Sequence, residues 1–240
     1  MIMTSPVFCA IDRPDLSGAL LLARALNNQA VGGLKLGLEF VTANGPAGVR
    51  SVVDLGLPVF LDLKFHDIPN TVAGAVKVAA DLGVTMLTLH LQGGPAMLWA
   101  AADAIKDLPR SQRPLLLGVS VLTSMDDKDL AAVGVEGSTE QQVLRLAMLA
   151  RKTGLDGMVC SPREIKPLRQ TFGDKMKLVV PGIRPTGCAA GDQKRTLTPG
   201  EAIKAGADYL VIGRPITAAG SPRAAALAIK DEIEAARLAA

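Results

Sequence analysis

Residues 60–71 read FLDLKFHDIPNT, a hydrophobic run that becomes charged where a predicted β-strand ends. Strand residues two apart lie on the same face, so we expect Asp62 and Lys64 to point the same way. Lys35 lies in an earlier predicted strand of the same kind, and neighbouring strands are about 4.8 Å apart. The three residues are therefore predicted to form a line of alternating charge, in which a second ammonium lies beside Asp62.

Seven further hydrophobic runs occur along the chain, with helical stretches between them. Near-continuous apolar strands that alternate with helices are typical of a parallel sheet covered by helices, because both strand faces are buried. Eight such units in 240 residues predict an α/β fold closed into a TIM (β/α)8 barrel, in which Asp62 and Lys64 point inward. The predicted strands are Val7–Ile11, Gly33–Leu36, Val59–Leu63, Met86–Leu89, Leu115–Val119, Gly157–Cys160, Lys177–Val180 and Tyr209–Ile212.

A doubly wound open sheet is the alternative architecture. Its usual mark is a GxGxxG turn after the first strand, but here that strand leads into Asp12, Arg13 and Pro14. The barrel is therefore favoured. No linker, short-period repeat or low-complexity tract divides the chain, so residues 1–240 are predicted to form a single domain.

Composition narrows the classes of function. The chain is 3% aromatic, and its formal net charge of +3 comes from scattered rather than clustered basic residues. This argues against a nucleic-acid partner, which needs a basic patch or a stacking platform. No apolar run is long enough to span a membrane, and residues 1–11 lack a basic start or a cleavage-like site. We expect a soluble, cytoplasmic protein without a targeting segment or a membrane partner.

Metal and disulfide chemistry have little support in the sequence. Cys9, Cys160 and Cys188 are odd in number, far apart and without CxxC spacing, which disfavours a disulfide framework and a zinc site. The chain has two histidines and no cluster of glutamates or cysteines around them. We therefore expect no metal ligands.

The charged cluster has a structural and a functional interpretation. Buried charges are costly unless they are paired, and removal of one partner typically costs about 3–5 kcal/mol. The cluster is either a barrel-lining ion pair without chemistry or a catalytic array, and its place at the carboxyl ends of strands favours the array. Asp67 lies beyond the strand and could face its own site, solvent or a partner subunit. His66 is out of register with Asp62 and Lys64, so a structural role is favoured for it and for His90.

Two helix starts support the assignment of the strands. SPRE at 161–164 and TPGE at 198–201 each offer an N-cap hydroxyl, a proline at the first helical position and a glutamate at the third. The segment from Ser124 to Gly137 is rich in polar residues and glycine, and lies in the long interval between the fifth and sixth strands. It is either a mobile lid over the carboxyl ends of the strands or a surface insertion without function.

Two arginines follow the last two predicted strands. Arg184 lies in PGIRP at 181–185, and Arg214 lies in IGRP at 212–215. TIM barrels often bind phosphate with the loops after strands seven and eight, and glycine permits close approach of the backbone to a ligand. Either arginine alone would be typical of a surface, but together at matching positions they predict a phosphate site.

The segment DLKFHDIPNT, preceded by Lys35, resembles the signature of the orotidine 5'-phosphate decarboxylase family in the form typical of bacterial members. That signature is Asp, any residue, Lys, any two residues, Asp. The similarity runs from Asp12 to Arg214. It implies decarboxylation of orotidine 5'-phosphate to UMP, the last step of de novo pyrimidine nucleotide synthesis, without a metal or another cofactor.

The resemblance also implies roles for individual residues. The implied catalytic array consists of Lys35, Asp62, Lys64 and Asp67, and Lys64 would donate a proton to C6 of the pyrimidine. The family pattern implies a homodimer in which Asp67 and Thr71 enter the neighbouring site.

Substrate contacts are implied in the same way. Lys35 is one of them, and Asp12 resembles the aspartate that accepts hydrogen bonds from ribose hydroxyls, although a helix N-cap is the alternative. Thr123 is implied to contact the pyrimidine, and Ser120 and Ser124 stay open as alternatives. GIRP, the following GDQ, and IGRP resemble segments that hold the 5'-phosphate and ribose. Their implied ligands are Arg184, Gln193, Gly213 and Arg214.

Two other functions compete with decarboxylation. A sugar-phosphate aldolase or decarboxylase of the same superfamily would act through a magnesium-bound enediolate, but such relatives carry an acidic metal ligand where this chain has Lys35. A non-catalytic nucleotide-binding barrel would keep the phosphate residues without needing two lysines and two aspartates at the barrel mouth.

Overall fold

The computed structural model describes residues 5–26, 29–186 and 196–239. Eight parallel strands close into a barrel, in which each strand pairs with the next along the chain and the eighth pairs with the first. The predicted TIM (β/α)8 barrel is therefore confirmed. The strands are β1 Val7–Ile11, β2 Gly33–Gly37, β3 Val59–Phe65, β4 Met86–His90, β5 Leu115–Val119, β6 Gly157–Val159, β7 Lys177–Val180 and β8 Tyr209–Ile212.

Helices follow the strands and cover the outside of the barrel, where the larger hydrophobic core lies between the two layers. Among the described residues, no helix is long and apolar enough to cross a membrane. The helices are α1 Leu16–Ala25, α2 Leu38–Val53, α3 Pro69–Asp81, α4 Gly94–Asp103, α5 Asp127–Ala132, α6 Thr139–Lys152, α7 Ile165–Phe172, α8 Pro199–Ala205, α9 Arg214–Thr217 and α10 Pro222–Leu238.

The inside of the barrel changes from apolar to charged along the strands. In β1, Phe8 and Ala10 belong to the inner cluster and Asp12 follows them; in β3, Phe60 is followed by Asp62. Successive inward residues are two apart, so one strand can contribute a hydrophobic floor and a polar rim. The inner cluster consists of Phe8, Ala10, Phe60, Met86, Leu117, Val179 and Val211.

Gly33 makes room for the ring of Phe8, one of the two phenylalanines of the inner cluster. It is in register with Phe8, and a Cβ at this position would lie 2.3 Å from the Phe8 ring and 2.6 Å from the carbonyl oxygen of Pro58. Because a backbone oxygen cannot move away as a flexible side chain can, only glycine fits here. Phe8 can then pack edge-on against Phe60, with ring centroids 6.1 Å apart.

Both predicted helix starts are present, but the hydroxyl of Ser161 has no hydrogen-bond partner among the described residues, so only the glutamate half of that cap forms. The Thr198 hydroxyl accepts the N–H of Glu201 at 3.2 Å, and the Glu201 carboxylate accepts the N–H of Thr198 at 2.8 Å. At the other start, the carboxylate of Glu164 accepts the N–H of Ser161 at 2.7 Å, and a 3-10 turn leads into α7. These caps satisfy backbone donors that have no partner within the helix.

Residues 124–137 contain the short helix α5 rather than an irregular loop throughout. Asp126 caps this helix, and Leu130 is the residue of the helix that is fully buried. A carboxylate oxygen of Asp127 also accepts the N–H of Thr139 at the start of α6, at 2.7 Å. A helix of 6 residues spans less than two turns, so it leaves too little periodicity to be recognised in the sequence. The predicted lid role of this segment stays a prediction.

Candidate active site

A cavity of about 420 Å³ opens at the carboxyl ends of the strands. Its apolar wall comes from inward residues of β1, β3, β6 and β8. Cavities of roughly 300–1,000 Å³ are usual for small ligands and cofactors. The cavity thus combines a hydrophobic surface with charges of both signs. Its polar and glycine lining includes Asp12, Lys35, Asp62, Arg184, Gly213 and Arg214.

A line of alternating charge begins on the wall of this cavity, as the sequence predicts, with Asp12, Lys35 and Asp62; Lys64, which ends the line, is not among the described cavity-lining residues. Lys35 Nζ lies 3.0 Å from Asp12 Oδ1 and 3.9 Å from Asp62 Oδ2, and Lys64 Nζ lies 3.0 Å from Asp62 Oδ1. Lys35 is only 8% exposed, so its ammonium depends on these carboxylates for the interactions that water would otherwise provide. The side chain of Asp62 is 16% exposed and lies between both ammoniums.

Gly37 leaves room for the first ion pair of this line. A Cβ at this position would lie 3.0 Å from Lys35 Nζ and 3.2 Å from Asp12 Oδ1. Both distances are shorter than ordinary van der Waals contact, so a side chain here would push the ammonium and the carboxylate aside. The glycine that ends β2 therefore allows Lys35 and Asp12 to meet across two strands.

Lys64 reaches Asp62 from an irregular backbone rather than from a regular strand. In the β3–β4 pairing, Leu61 is opposite Leu87 but Phe65 is opposite Leu89, so β3 carries two more residues than β4 over this stretch. A two-residue excess preserves the alternation of side chains, so Lys64 stays on the side of Asp62. Its φ of 54° lies in the left-handed region, and Lys64 is the one described residue other than glycine with a positive φ. Backbone strain of this kind is concentrated at functional sites.

Thr88 is a polar member of this site that nothing in the sequence patterns singles out. It lies on β4, is 0% exposed, and donates its hydroxyl to Asp62 Oδ1 at 3.0 Å. The same hydroxyl accepts the backbone N–H of Lys64 at 2.9 Å. The only signal for it in the sequence is a polar residue two positions after Met86, on the inward face of a strand.

The loops after β7 and β8 place the two predicted arginines on the wall of the same cavity. Gly182 has a φ of 76°, which side chains disfavour, and it turns the chain so that Arg184 N–H donates to the carbonyl of Leu197 at 3.0 Å. Gly213 and Arg214 follow β8 directly. Gln193, the remaining predicted ligand of this group, lies outside the described residues.

Asp67, Thr71 and Thr123 are not among the described residues that line the cavity. Asp67 and Thr71 are exposed, and Asp67 accepts the N–H of Ile68 at 2.6 Å without an ion pair to the described part of the chain. Thr123 is half-buried in the turn after β5. Of its two alternatives, Ser124 is exposed, whereas Ser120 is buried with a hydroxyl that has no partner among the described residues.

The two histidines stack on each other beside the site, with ring centroids 5.1 Å apart. Burial, and then the neighbouring His66 and Lys64, lower the pKa of His90 below its usual value. The neutral ring can therefore accept the N–H of Gln92 at Nδ1, at 3.4 Å. Neither histidine is among the described cavity-lining residues, and the structural role expected for them stays a prediction.

The described cysteines are buried thiols of low reactivity. Burial and the nearby Asp12 carboxylate raise the pKa of Cys9 to about 12, and burial and Glu164 raise the pKa of Cys160 well above its usual value. Within the described ranges, no three His, Cys, Asp or Glu side chains are grouped as metal ligands would be. Cys188 lies outside those ranges.

Comparison with known proteins gives one family for this arrangement. The model of the orotidine 5'-phosphate decarboxylase / HUMPS family matches residues 5–229. Orotidine 5'-phosphate decarboxylase of Alcanivorax borkumensis is 54% identical over 92% of this chain and 95% of its own length, and that of Paramagnetospirillum magneticum is 52% identical over 96% and 99%. The crystal structure of orotidine 5'-phosphate decarboxylase from Lactobacillus acidophilus superposes with a TM-score of 0.84 at 36% identity, covering 95% of this chain and 99% of that one. This chain therefore belongs to the orotidine 5'-phosphate decarboxylase / HUMPS family.

Proposed function

We propose that this protein decarboxylates orotidine 5'-phosphate to UMP, which is the last step of de novo pyrimidine nucleotide synthesis. The observation that carries the proposal is the line of alternating charge formed by Asp12, Lys35, Asp62 and Lys64, in which successive charged groups lie 3.0–3.9 Å apart. Relatives at 52–54% identity that bear the name of this enzyme support it.

Lys64 is the proton donor in this proposal. When the bond from C6 to the carboxylate breaks, its electron pair stays on C6 and CO₂ departs. The pyrimidine ring delocalises this carbanion poorly, so a cation held beside it favours the transition state over the bound substrate. The ammonium of Lys64 then gives one proton to C6 to form UMP, and the neutral amine regains a proton from solvent.

The two aspartates orient the lysines. Asp62 accepts a hydrogen bond from Lys64 Nζ and lies close to Lys35. In this proposal it orients both ammoniums toward the place where the pyrimidine binds. Its negative charge would also repel the carboxylate of the substrate and favour its loss. Asp12 is 53% exposed at the rim, where it can accept hydrogen bonds from ribose hydroxyls while keeping its contact with Lys35.

The 5'-phosphate is assigned to the loops after β7 and β8. Arg184 and Arg214 supply positive charge and forked N–H donors, and Gly213 allows the backbone to approach the phosphate. Gln193 is proposed as a further ligand, and Thr123 as the contact to the pyrimidine. Binding energy from the phosphate, which does not react, would be used to hold the ring against Lys64.

The position of Lys35 argues against the enediolate alternative. A magnesium-bound enediolate requires acidic oxygens that are free to coordinate the cation. Here the nearest carboxylates, Asp12 and Asp62, already face the ammonium of Lys35 at 3.0 and 3.9 Å. A divalent cation at this position would meet a fixed positive charge, whereas a carbanion would be stabilised by it.

One assay tests the function. The purified protein is treated with a chelator, and orotidine 5'-phosphate is followed by ultraviolet absorbance as its conjugated carboxylate disappears. We expect rapid conversion to UMP. Tight binding without conversion would instead indicate a nucleotide-binding barrel, and activity only on a sugar phosphate after magnesium is restored would indicate an enediolate enzyme.

The active unit in this proposal is a homodimer. Asp67 is exposed beside Ile68, which is 66% exposed, and an apolar groove of about 240 Å³ lies between α2 and α3. Exposed apolar surface around a charged residue is typical of a contact with another protein. A second copy covering this surface would carry Asp67 and Thr71 of each subunit into the site of the other.

Subunit complementation tests the composite site. Lys64→Ala and Asp67→Ala chains are expressed with different tags and purified as the heterodimer. If Asp67 acts in the partner's site, one of the two sites carries both substitutions and the other carries neither, so we expect about half of the wild-type activity per dimer.

The matched control pairs Lys64→Ala with Lys35→Ala. Both residues belong to the same line of charge within one chain, so each site of this heterodimer keeps one substitution and stays inactive. The result that contradicts the proposal is a Lys64→Ala/Asp67→Ala heterodimer as inactive as the two homodimeric variants. It would show that Asp67 does not act in the neighbouring site.

A further inference from the structure

Thr88 closes a ring of hydrogen bonds around the Asp62–Lys64 pair. Its hydroxyl donates to Asp62 Oδ1 at 3.0 Å, and the same oxygen of Asp62 accepts from Lys64 Nζ at 3.0 Å. The ring is completed by the backbone N–H of Lys64, which donates to the Thr88 hydroxyl at 2.9 Å. One side chain on β4 thus contacts both the backbone of Lys64 and the carboxylate that orients its ammonium.

We infer that Thr88 is a positioning residue for the reaction, which holds Lys64 in its left-handed conformation and directs its ammonium. The inference rests on the proposed role of Lys64 as proton donor. Thr88 does not itself touch the reacting atoms; it acts through Asp62 and Lys64.

The chemistry of a threonine hydroxyl fits this task. A hydroxyl has one donor and two acceptor lone pairs, so it can donate to a carboxylate and accept a backbone N–H at the same time. The β-branch restricts χ1, and Thr88 is 0% exposed, so neither rotation nor water is available to replace these bonds.

The backbone of β3 explains why Lys64 needs such a partner. The two additional residues of β3 interrupt its pairing with β4 between Leu61 and Phe65, which removes the ladder partners that would fix this stretch. At a φ of 54°, Lys64 also occupies a conformation that a side chain disfavours. The hydrogen bond from its N–H to Thr88 replaces the missing ladder contact and stabilises the strained conformation.

Thr85, the exposed residue directly before β4, provides a control for loss of a threonine hydroxyl between the same two segments of chain. Its hydroxyl donates to the carbonyl of Val59 at 2.9 Å, where β3 begins, at the opposite end of the barrel from the cavity. A Thr85→Val substitution removes a threonine hydroxyl that links the same two segments of chain. It should therefore reproduce any general weakening of the β3–β4 contact without touching Lys64.

The test compares Thr88→Val with Thr88→Ser and Thr85→Val. We expect Thr88→Val to lower kcat for orotidine 5'-phosphate by about 10²-fold, as a displaced catalytic group does, with KM changed by no more than about 2-fold. Thr88→Ser keeps the hydroxyl and should recover most of the rate, and Thr85→Val should leave both constants at the wild-type value. Should valine fail to fold at this position, Thr88→Ala removes the same two hydrogen bonds without adding volume.

Crystal structures of wild type and Thr88→Val supply a readout that does not depend on activity. We expect Lys64 to leave its positive φ and its ammonium to move away from Asp62 in the variant. An unchanged Lys64, an unchanged kcat or a failure of Thr88→Ser to restore activity would each overturn the inference. If Lys64 moves as expected but the wild type does not decarboxylate the nucleotide, the proposed function fails and the positioning of Lys64 by Thr88 stands.

Discussion

Lys64→Ala is expected to lower kcat/KM for orotidine 5'-phosphate by at least about 10²- to 10⁴-fold, the usual contribution of a positioned proton donor. The decrease in kcat/KM should exceed that for a residue that only donates a proton, because the ammonium of Lys64 also stabilises the developing carbanion. Steady-state kinetics followed by the loss of ultraviolet absorbance measure the effect. Decarboxylation at close to the wild-type rate would exclude Lys64 as the proton donor.

The fold should survive this change, because Asp62 keeps the hydrogen bond from Thr88 and its contact with Lys35. Alanine retains the Cβ and hence the strain of the left-handed backbone, so Lys64→Ala isolates the ammonium. Lys64→Gly removes the strain as well, and we expect it to be more stable than the alanine variant by about 1 kcal/mol in thermal unfolding, while equally inactive. Lys166→Ala, on the exposed face of α7, is the control for loss of a lysine.

Arg214→Ala is expected to lower kcat/KM by at least about 10²-fold while the fold stays intact. Two hydrogen bonds to a phosphate, each worth about 1.5–3 kcal/mol, would be lost, and about 1.4 kcal/mol corresponds to a tenfold change in rate. The effect should be divided between KM and kcat, because phosphate binding also holds the ring in place. Kinetics over a range of substrate concentration separate the two constants.

A substrate without phosphate makes this prediction specific. Orotidine lacks the 5'-phosphate, so Arg214 has no phosphate to bind on this substrate. Wild type and Arg214→Ala should therefore decarboxylate orotidine at the same low rate. Arg223→Ala, which removes an exposed arginine of α10, should resemble wild type on both substrates. Wild-type kinetics of Arg214→Ala on the nucleotide would remove Arg214 from the site.

The fold could be predicted almost completely because its strands are buried on both faces. Val7–Ile11, Leu115–Val119, Lys177–Val180 and Tyr209–Ile212 have the bounds that the hydrophobic runs predict. Of the remaining strands, β2, β3 and β4 continue one or two residues further at the carboxyl end, toward the site, whereas β6 ends one residue earlier, at Val159. Hydrophobic content marks the buried part of a strand and not its polar end.

The candidate site could be predicted only in part. Spacing along one strand and the proximity of two strands predict the line through Lys35, Asp62 and Lys64, and matching loop positions predict the wall formed by Arg184 and Arg214. These predictions succeed because strand geometry is nearly constant. The orientation of residues beyond a strand end does not follow a constant geometry, so the place of Asp67 could only be left open.

The spacing of residue types along the sequence was sufficient to determine the barrel and the charges at its mouth. Apolar strand faces must be buried and buried charges must be paired, and both requirements can be read from residue type and spacing. The tertiary structure alone decided that Lys64 takes a left-handed backbone, that Gly37 leaves room for Lys35, and that Thr88 joins Asp62 from the next strand. Contacts of this kind depend on the register between strands distant in sequence, and packing of the whole barrel sets that register.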